Sequence, residues 1–109
     1  MGAVAIAGDG YTVYPNTRNL CSEHVSGNSM HITWATYATR DTLAKVVAHY
    51  ENQFGRSVKG DKGEHSWGGG GSNHSLSVYP ATQNDAFPSC ATKPARGETT
   101  VIRISTAAR

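Results

Sequence analysis

The clearest secondary-structure pattern of this chain lies in the segment HITWATYATRDTLAKVVAHYENQFG, residues 31–55. Its first part alternates polar and apolar side chains, as a half-buried β-strand does. Its second part carries apolar side chains at i, i+3, i+4, i+7 and i+11, one stripe of an α-helix, namely Leu43, Val46, Val47, Tyr50 and Phe54. The stretch therefore predicts a strand followed directly by an amphipathic helix.

The predicted strand covers residues 30–38 and the predicted helix runs from about residue 40 to residue 54. Thr39 or Asp41 can cap the start of the helix, because either side chain can accept a hydrogen bond from a free backbone N–H. Gly55 stands where a left-handed residue commonly ends a helix. Alternation places two sets of strand residues on opposite faces, Met30, Ile32 and Trp34 on one and His31, Thr33 and Tyr37 on the other.

The flanking sequence is dominated by short β-prone runs separated by turn residues. Residues 4–7 and 11–14 predict a hairpin around Gly8-Asp9-Gly10, whereas the Asn- and Ser-rich residues 16–29 predict a loop. Further strands are predicted at residues 56–67, 74–79 and 99–105, with a glycine-rich tip or inserted linker at 68–73 and irregular chain at 80–98. The simplest fold for these pieces is α+β, a single small domain over residues 1–109 with one amphipathic helix packed on a curved antiparallel sheet.

Composition excludes several classes of function. Ten Lys and Arg against eight Asp and Glu give a formal net charge of +2, and no basic run is present, so we expect no nucleic-acid partner. No apolar stretch reaches the roughly 20 residues of a transmembrane segment. The GGGGS run lacks the Lys-Ser/Thr of a phosphate loop and no other cofactor motif occurs, so we expect no cofactor.

The two cysteines, Cys21 and Cys90, have no spacing typical of a zinc site. Both lie in loop-like sequence, which favours a disulfide between them over two reduced, buried thiols, although the second arrangement also fits the sequence. A disulfide over so long a loop would contribute about 4 kcal/mol. It would also indicate an oxidising compartment, so the chain is predicted to be periplasmic or secreted, with a signal or lipid anchor removed.

Histidines and aromatic residues are the remaining candidates for chemistry. His31, His65 and His74 are weak candidates for metal ligands, and the last two flank the glycine-rich loop. No nucleophile motif or carboxylate pair supports catalysis, so no catalytic residue is predicted. An aromatic edge or sheet face would favour binding instead, and the candidate binding residues are Tyr37, Trp67 and Tyr79.

Two resemblances add expectations. Most of the chain resembles small bacterial exported domains of the lipoprotein type, through Tyr14-Pro15, Leu20-Cys21, His24, residues 31–34 and 41–50, Trp67, residues 76–80, Cys90 and residues 100–105. Residues 31–55 are similar to the opening of a βαβββ module of the vicinal-oxygen-chelate, or glyoxalase-like, superfamily. That second resemblance implies a metal ligand at His31. It also implies a glutamate further along the chain, for which Glu98 is the one counterpart. It also implies paired modules, so a homodimer would have to supply the other half.

These observations favour a non-catalytic exported or periplasmic domain that binds a protein or a cell-envelope component. The alternative is a metal-dependent enzyme or metal-binding protein of the vicinal-oxygen-chelate type that acts as a homodimer. A convergent set of histidines and carboxylates would favour the alternative, whereas an open, aromatic-lined sheet would favour binding.

Overall fold

A computed structural model describes residues 11–27, 31–60, 63–68, 74–81 and 92–108 of the chain. Within them the elements follow in the order β1 (Thr17–Ser26), β2 (His31–Thr39), α1 (Leu43–Phe54), β3 (Val58–Lys59), β4 (His65–Gly68), β5 (His74–Pro80) and β6 (Thr100–Ala108). The prediction of an α+β fold with an antiparallel sheet is confirmed.

The six strands form one open antiparallel sheet in the order β1-β2-β6-β5-β4-β3. The last of these strands in sequence, β6, lies in the interior of the sheet, where it pairs with β2 on one side and β5 on the other. Tyr37 of β2 is opposite Ile102, which is in turn opposite Val78 of β5. Long β1 and two-residue β3 are the two edges of the sheet.

Helix α1 begins about three residues later than predicted. Its N-cap is Thr42, whose side-chain oxygen accepts a hydrogen bond from the backbone N–H of Lys45 at 3.2 Å, so the proposed caps Thr39 and Asp41 were wrong. Thr39 instead remains in β2. Gly55 ends the helix at a φ of 91°, as predicted, a conformation that glycine adopts without strain.

The core lies between α1 and one face of the sheet, which we call the helix-side face. The helix contributes Val46, Val47 and Tyr50, all buried, and Leu43, which packs against them. The sheet contributes Trp67, Leu76, Val78 and Ile102. Phe54, predicted to be buried with the stripe, is 37% exposed because it lies at the last turn, although its ring still stacks on Tyr50.

Strand β1 contradicts the loop predicted for residues 16–29. Residues Thr17–Ser26 are extended because each pairs with β2, apart from a bulge between Asn19 and Cys21. Residues 11–14, predicted as half of a hairpin, are not a strand. They lie over the core, and the Tyr50 hydroxyl donates a hydrogen bond to the Thr12 carbonyl oxygen at 2.7 Å. The other half, residues 4–7, lies outside the described residues.

The strand predicted at residues 56–67, with breaks at Gly60 and Gly63, is divided into β3 and β4. These two strands pair with each other, and the Gly60 N–H donates to the Glu64 carbonyl. The predicted strands at 74–79 and 99–105 are confirmed as β5 and β6. Cys21 lies on β1 beside a small cluster of Leu20 and Ala38. Gly68, predicted to begin the glycine-rich tip at 68–73, instead ends β4. Residues 69–73 and Cys90 lie outside the described residues, so the disulfide remains a prediction.

The described part of the chain contains no helix with the length and apolar content that crossing a bilayer requires.

Candidate functional site

The three aromatic residues predicted to bind a partner do not share one surface. Trp67 is only 4% exposed and lies under α1, where its indole N–H donates to the Gly55 carbonyl at 2.8 Å. Tyr79 is equally buried, but it follows Val78 on β5 and therefore lies on the opposite face of the sheet. Tyr37 alone is half-exposed, on the helix-side face. The structure therefore assigns Trp67 to the core.

The three predicted histidine ligands are also apart. His65 is opposite Val78, four residues or about 13 Å along β5 from His74. His31 begins β2 and is separated from His74 on β5 by the intervening strand β6. Glu98 lies at the other end of the sheet, near Thr39, so it does not approach His31. Within the described ranges no three His, Cys, Asp or Glu side chains converge on one point.

His65 belongs to a different arrangement, which links the end of α1 to the sheet. The Ser57 hydroxyl donates to a carboxylate oxygen of Glu51 at 3.0 Å and lies 3.0 Å from Nδ1 of His65. Because the hydroxyl proton points to Glu51, Ser57 accepts from the His65 Nδ1–H. The side-chain and backbone hydrogen bonds from Ser57 lower the pKa of Glu51. This chain of contacts links the end of α1 to β4 through the loop that joins them.

A groove of about 190 Å³ opens on the helix-side face. It lies beside α1, over β2 and β6, and its walls include Tyr11, Val13, Tyr37 and Ile104. Tyr11 packs edge-on against Phe54 at a centroid distance of 4.7 Å, which holds one wall in place. Burial raises the pKa of Tyr11 and of Tyr37, so both hydroxyls stay neutral near pH 7.

Strand β1 borders this groove and forms the long edge of the sheet. Ser22 and His24 lie opposite Ala35 and Thr33, which line the groove. Ser22, Glu23, His24 and Ser26 are exposed, and from Cys21 to Ser26 the pairing with β2 is regular. Among the described residues no strand pairs with the outer side of β1. The described part of the chain therefore leaves the outward N–H and C=O groups of β1 open as a template for another strand.

The other end of β1 is fixed by an ion pair. Nε and Nη2 of Arg18 donate to the two carboxylate oxygens of Glu98 at 3.1 and 2.8 Å, and the Ala95 N–H donates to the same carboxylate at 2.7 Å. The Glu98 side chain is 9% exposed. The Arg18 hydrogen bonds, together with that of Ala95, hold the pKa of Glu98 below its ordinary value of 4.5.

Substitution of Arg18 by Met is expected to lower the free energy of unfolding near pH 7 and to have little effect at strongly acidic pH. A carboxyl group whose pKa is lowered by folding stabilises the protein above its unfolded-state pKa, and this stabilisation disappears as the pH falls through the folded-state value. Chemical denaturation of both proteins over a pH series measures the difference. If the difference in free energy of unfolding between the two proteins stayed constant down to strongly acidic pH, the stabilisation by Arg18 would not come from its ion pair with Glu98.

Searches among protein families, curated proteins and solved structures found no match to this chain, so neither resemblance is confirmed and both remain predictions.

Proposed function

We propose that this chain is a non-catalytic binding domain, periplasmic or secreted, that binds an extended segment of a partner protein along the outer edge of β1. The observation that supports this function is the length and openness of that edge. The ten residues Thr17–Ser26 end the sheet, and six of them continue in regular register from the bulge onward. A segment added there would form main-chain hydrogen bonds to about every second residue of β1.

Side chains beside the edge support a peptide ligand. Many exposed edges are protected against strand addition by lysine, proline or very short length. Residues 21–26 contain neither Lys nor Pro, and Glu23 is the one Asp, Glu, Lys or Arg residue among them. The neighbouring groove, with Tyr37 and the 44% exposed Val13, can take an apolar side chain of the added strand. Main-chain pairing would supply affinity and the groove would supply specificity.

Export to an oxidising compartment rests on the predicted pairing of Cys21 with Cys90. Mass measurement after alkylation without reductant tests that pairing, and two alkylated thiols would remove the support for export.

Two proline variants test binding at the edge. Successive backbone N–H groups of a strand point to opposite sides, so one of Ser22 and Glu23 directs its N–H to β2 and the other directs it outward. Ser22→Pro and Glu23→Pro are therefore a matched pair, in which one variant removes an N–H that pairs with β2 and the other removes an outward N–H. The variant that loses an inward N–H is expected to melt at a lower temperature, whereas the outward variant is expected to melt close to the parent.

The binding measurement uses a displayed library of random peptides about nine residues long, selected on the parent protein. Peptides that bind β1 are expected to lose about tenfold or more in affinity for the outward proline variant and to slow hydrogen exchange at residues 21–26. Equal binding to the parent and the outward variant would contradict the proposal. Concentration-dependent self-association that the outward proline abolishes would also contradict it, because the occupant would then be a second copy of this chain.

A further inference from the structure

Two histidines lie side by side at the end of the β1–β2 hairpin. Ser26 is opposite His31, and His24 is opposite Thr33 two residues further along, so the two histidines are diagonal neighbours on the helix-side face. Their rings stack with centroids 5.6 Å apart and an interplanar angle of 22°. Both residues are exposed. His31 therefore has His24 as its histidine neighbour, and not His65 or His74, the other two predicted metal ligands.

The two rings direct nitrogens at one point, which the Ser26 hydroxyl occupies. Its oxygen lies 3.0 Å from Nε2 of His24 and 3.0 Å from Nδ1 of His31. A hydroxyl has one proton, so it donates to one ring and accepts from the N–H of the other. Metal–nitrogen bonds are about 2.0–2.1 Å long, so each ring would need to move by about 1 Å once the hydroxyl rotates aside. Exposed side chains on a hairpin can make that adjustment.

A second contact orients His24. Its other nitrogen, Nδ1, lies 3.0 Å from the Thr33 hydroxyl oxygen. When Nδ1 donates its N–H to Thr33, the lone pair of Nε2 is directed toward Ser26. Histidine ligands commonly use such an outer hydrogen bond, which fixes the tautomer and the ring orientation.

We propose that His24 and His31 together bind one divalent transition-metal ion, with water completing its coordination. Imidazole nitrogens suit Cu²⁺, Ni²⁺ and Zn²⁺, and affinity should be greatest for Cu²⁺. The site differs from the one that the glyoxalase-like resemblance implies, because both ligands come from a single hairpin of one chain. It does not depend on the proposed binding of a peptide.

Titration calorimetry with NiCl₂ and ZnCl₂, together with NMR of the imidazole nitrogens, tests the site. One equivalent of metal is expected to bind. His24→Gln and His31→Gln should each weaken binding by about tenfold or more, and Thr33→Val by about tenfold to a hundredfold. Ser26→Ala should bind at least as tightly as the parent, since the hydroxyl competes with the metal for both nitrogens.

His49→Gln is the matched control, because this helix histidine contacts Gln53, Tyr14 and Tyr50 and lies away from the hairpin. It should leave metal binding unchanged. All variants are first melted without metal, and the hairpin variants should match the parent because their side chains are exposed. Saturable binding that survives both His24→Gln and His31→Gln would overturn the proposal, as would the absence of saturable binding at about millimolar metal.

Discussion

Val46→Asp is expected to abolish the cooperative melting transition of this chain. Val46 is fully buried between α1 and the sheet, where described neighbours in the core are apolar or aromatic. An aspartate at this position would bury a charge without a partner, at a cost of several kcal/mol. The total stability of a domain is typically about 5–15 kcal/mol, so one such substitution removes most of it.

Ala48→Asp is the matched control, since residue 48 lies on the exposed side of the same helix. It introduces the same charge and should cost only the lower helix propensity of aspartate, about 0.7 kcal/mol. Far-ultraviolet circular dichroism during heating measures both variants. Similar melting curves for the two would show that α1 does not pack on the sheet through Val46.

Trp67→Ala is expected to lower the free energy of unfolding by about 3–5 kcal/mol, because it empties a large buried site in the core. The Trp67 ring contacts Tyr50 at a centroid distance of 5.8 Å and its N–H holds the chain just after α1. Trp67→Phe should cost less. It retains an aromatic ring and loses mainly the hydrogen bond to Gly55, a contribution of about 0.5–1.5 kcal/mol.

Trp34→Ala provides the comparison for Trp67. Trp34 is half-buried on the opposite face, where Arg103 lies 5.7 Å from its ring, so its removal should destabilise the protein less than removal of Trp67. Urea denaturation gives all three values. If Trp67→Ala kept the parental stability, Trp67 would not contribute to the core as described.

Helical and strand periodicity predicted the central pieces of this fold. The stripe of α1 follows from spacing alone, because the 3.6-residue period fixes which side chains share a face. The N-cap did not follow, since Thr39, Asp41 and Thr42 can all act as caps. Tertiary pairing decides among them. Thr39 is opposite Thr100 in the sheet, and the Thr100 hydroxyl donates to the Asp41 carbonyl, which keeps both residues outside the helix.

Strand β1 could not be predicted because its sequence has little strand character of its own. Residues 17–26 are mostly polar and largely exposed, and their extended conformation is imposed by pairing with β2. The same register brings His24 beside His31. A contact between diagonal neighbours on paired strands depends on knowing that the strands pair, so the sequence could indicate each histidine but not the pair.

The aromatic residues show a further limit. Alternation along β5 correctly places Val78 and Tyr79 on opposite faces of the sheet, but it does not indicate how deeply either side chain is buried. Tyr79 was predicted to bind a partner at an aromatic edge or sheet face, but it is buried, and so is Val101, which lies opposite it on β6. The burial of these aromatic side chains could be determined only from the structure.

The interior position of β6 governs the order in which the sheet can assemble. As the chain is synthesised, β2 and β5 both precede the strand that must lie between them, so the two halves of the sheet stay separate until residues 100–108 have emerged. Pairings between residues about 60 to 80 positions apart, such as those of β2 with β6, give the topology a high contact order. Such proteins fold in milliseconds to seconds, and until β6 is inserted the chain exposes the unpaired inner edges of β2 and β5. A chaperone that covers those edges would therefore act on this chain before its final strand is inserted.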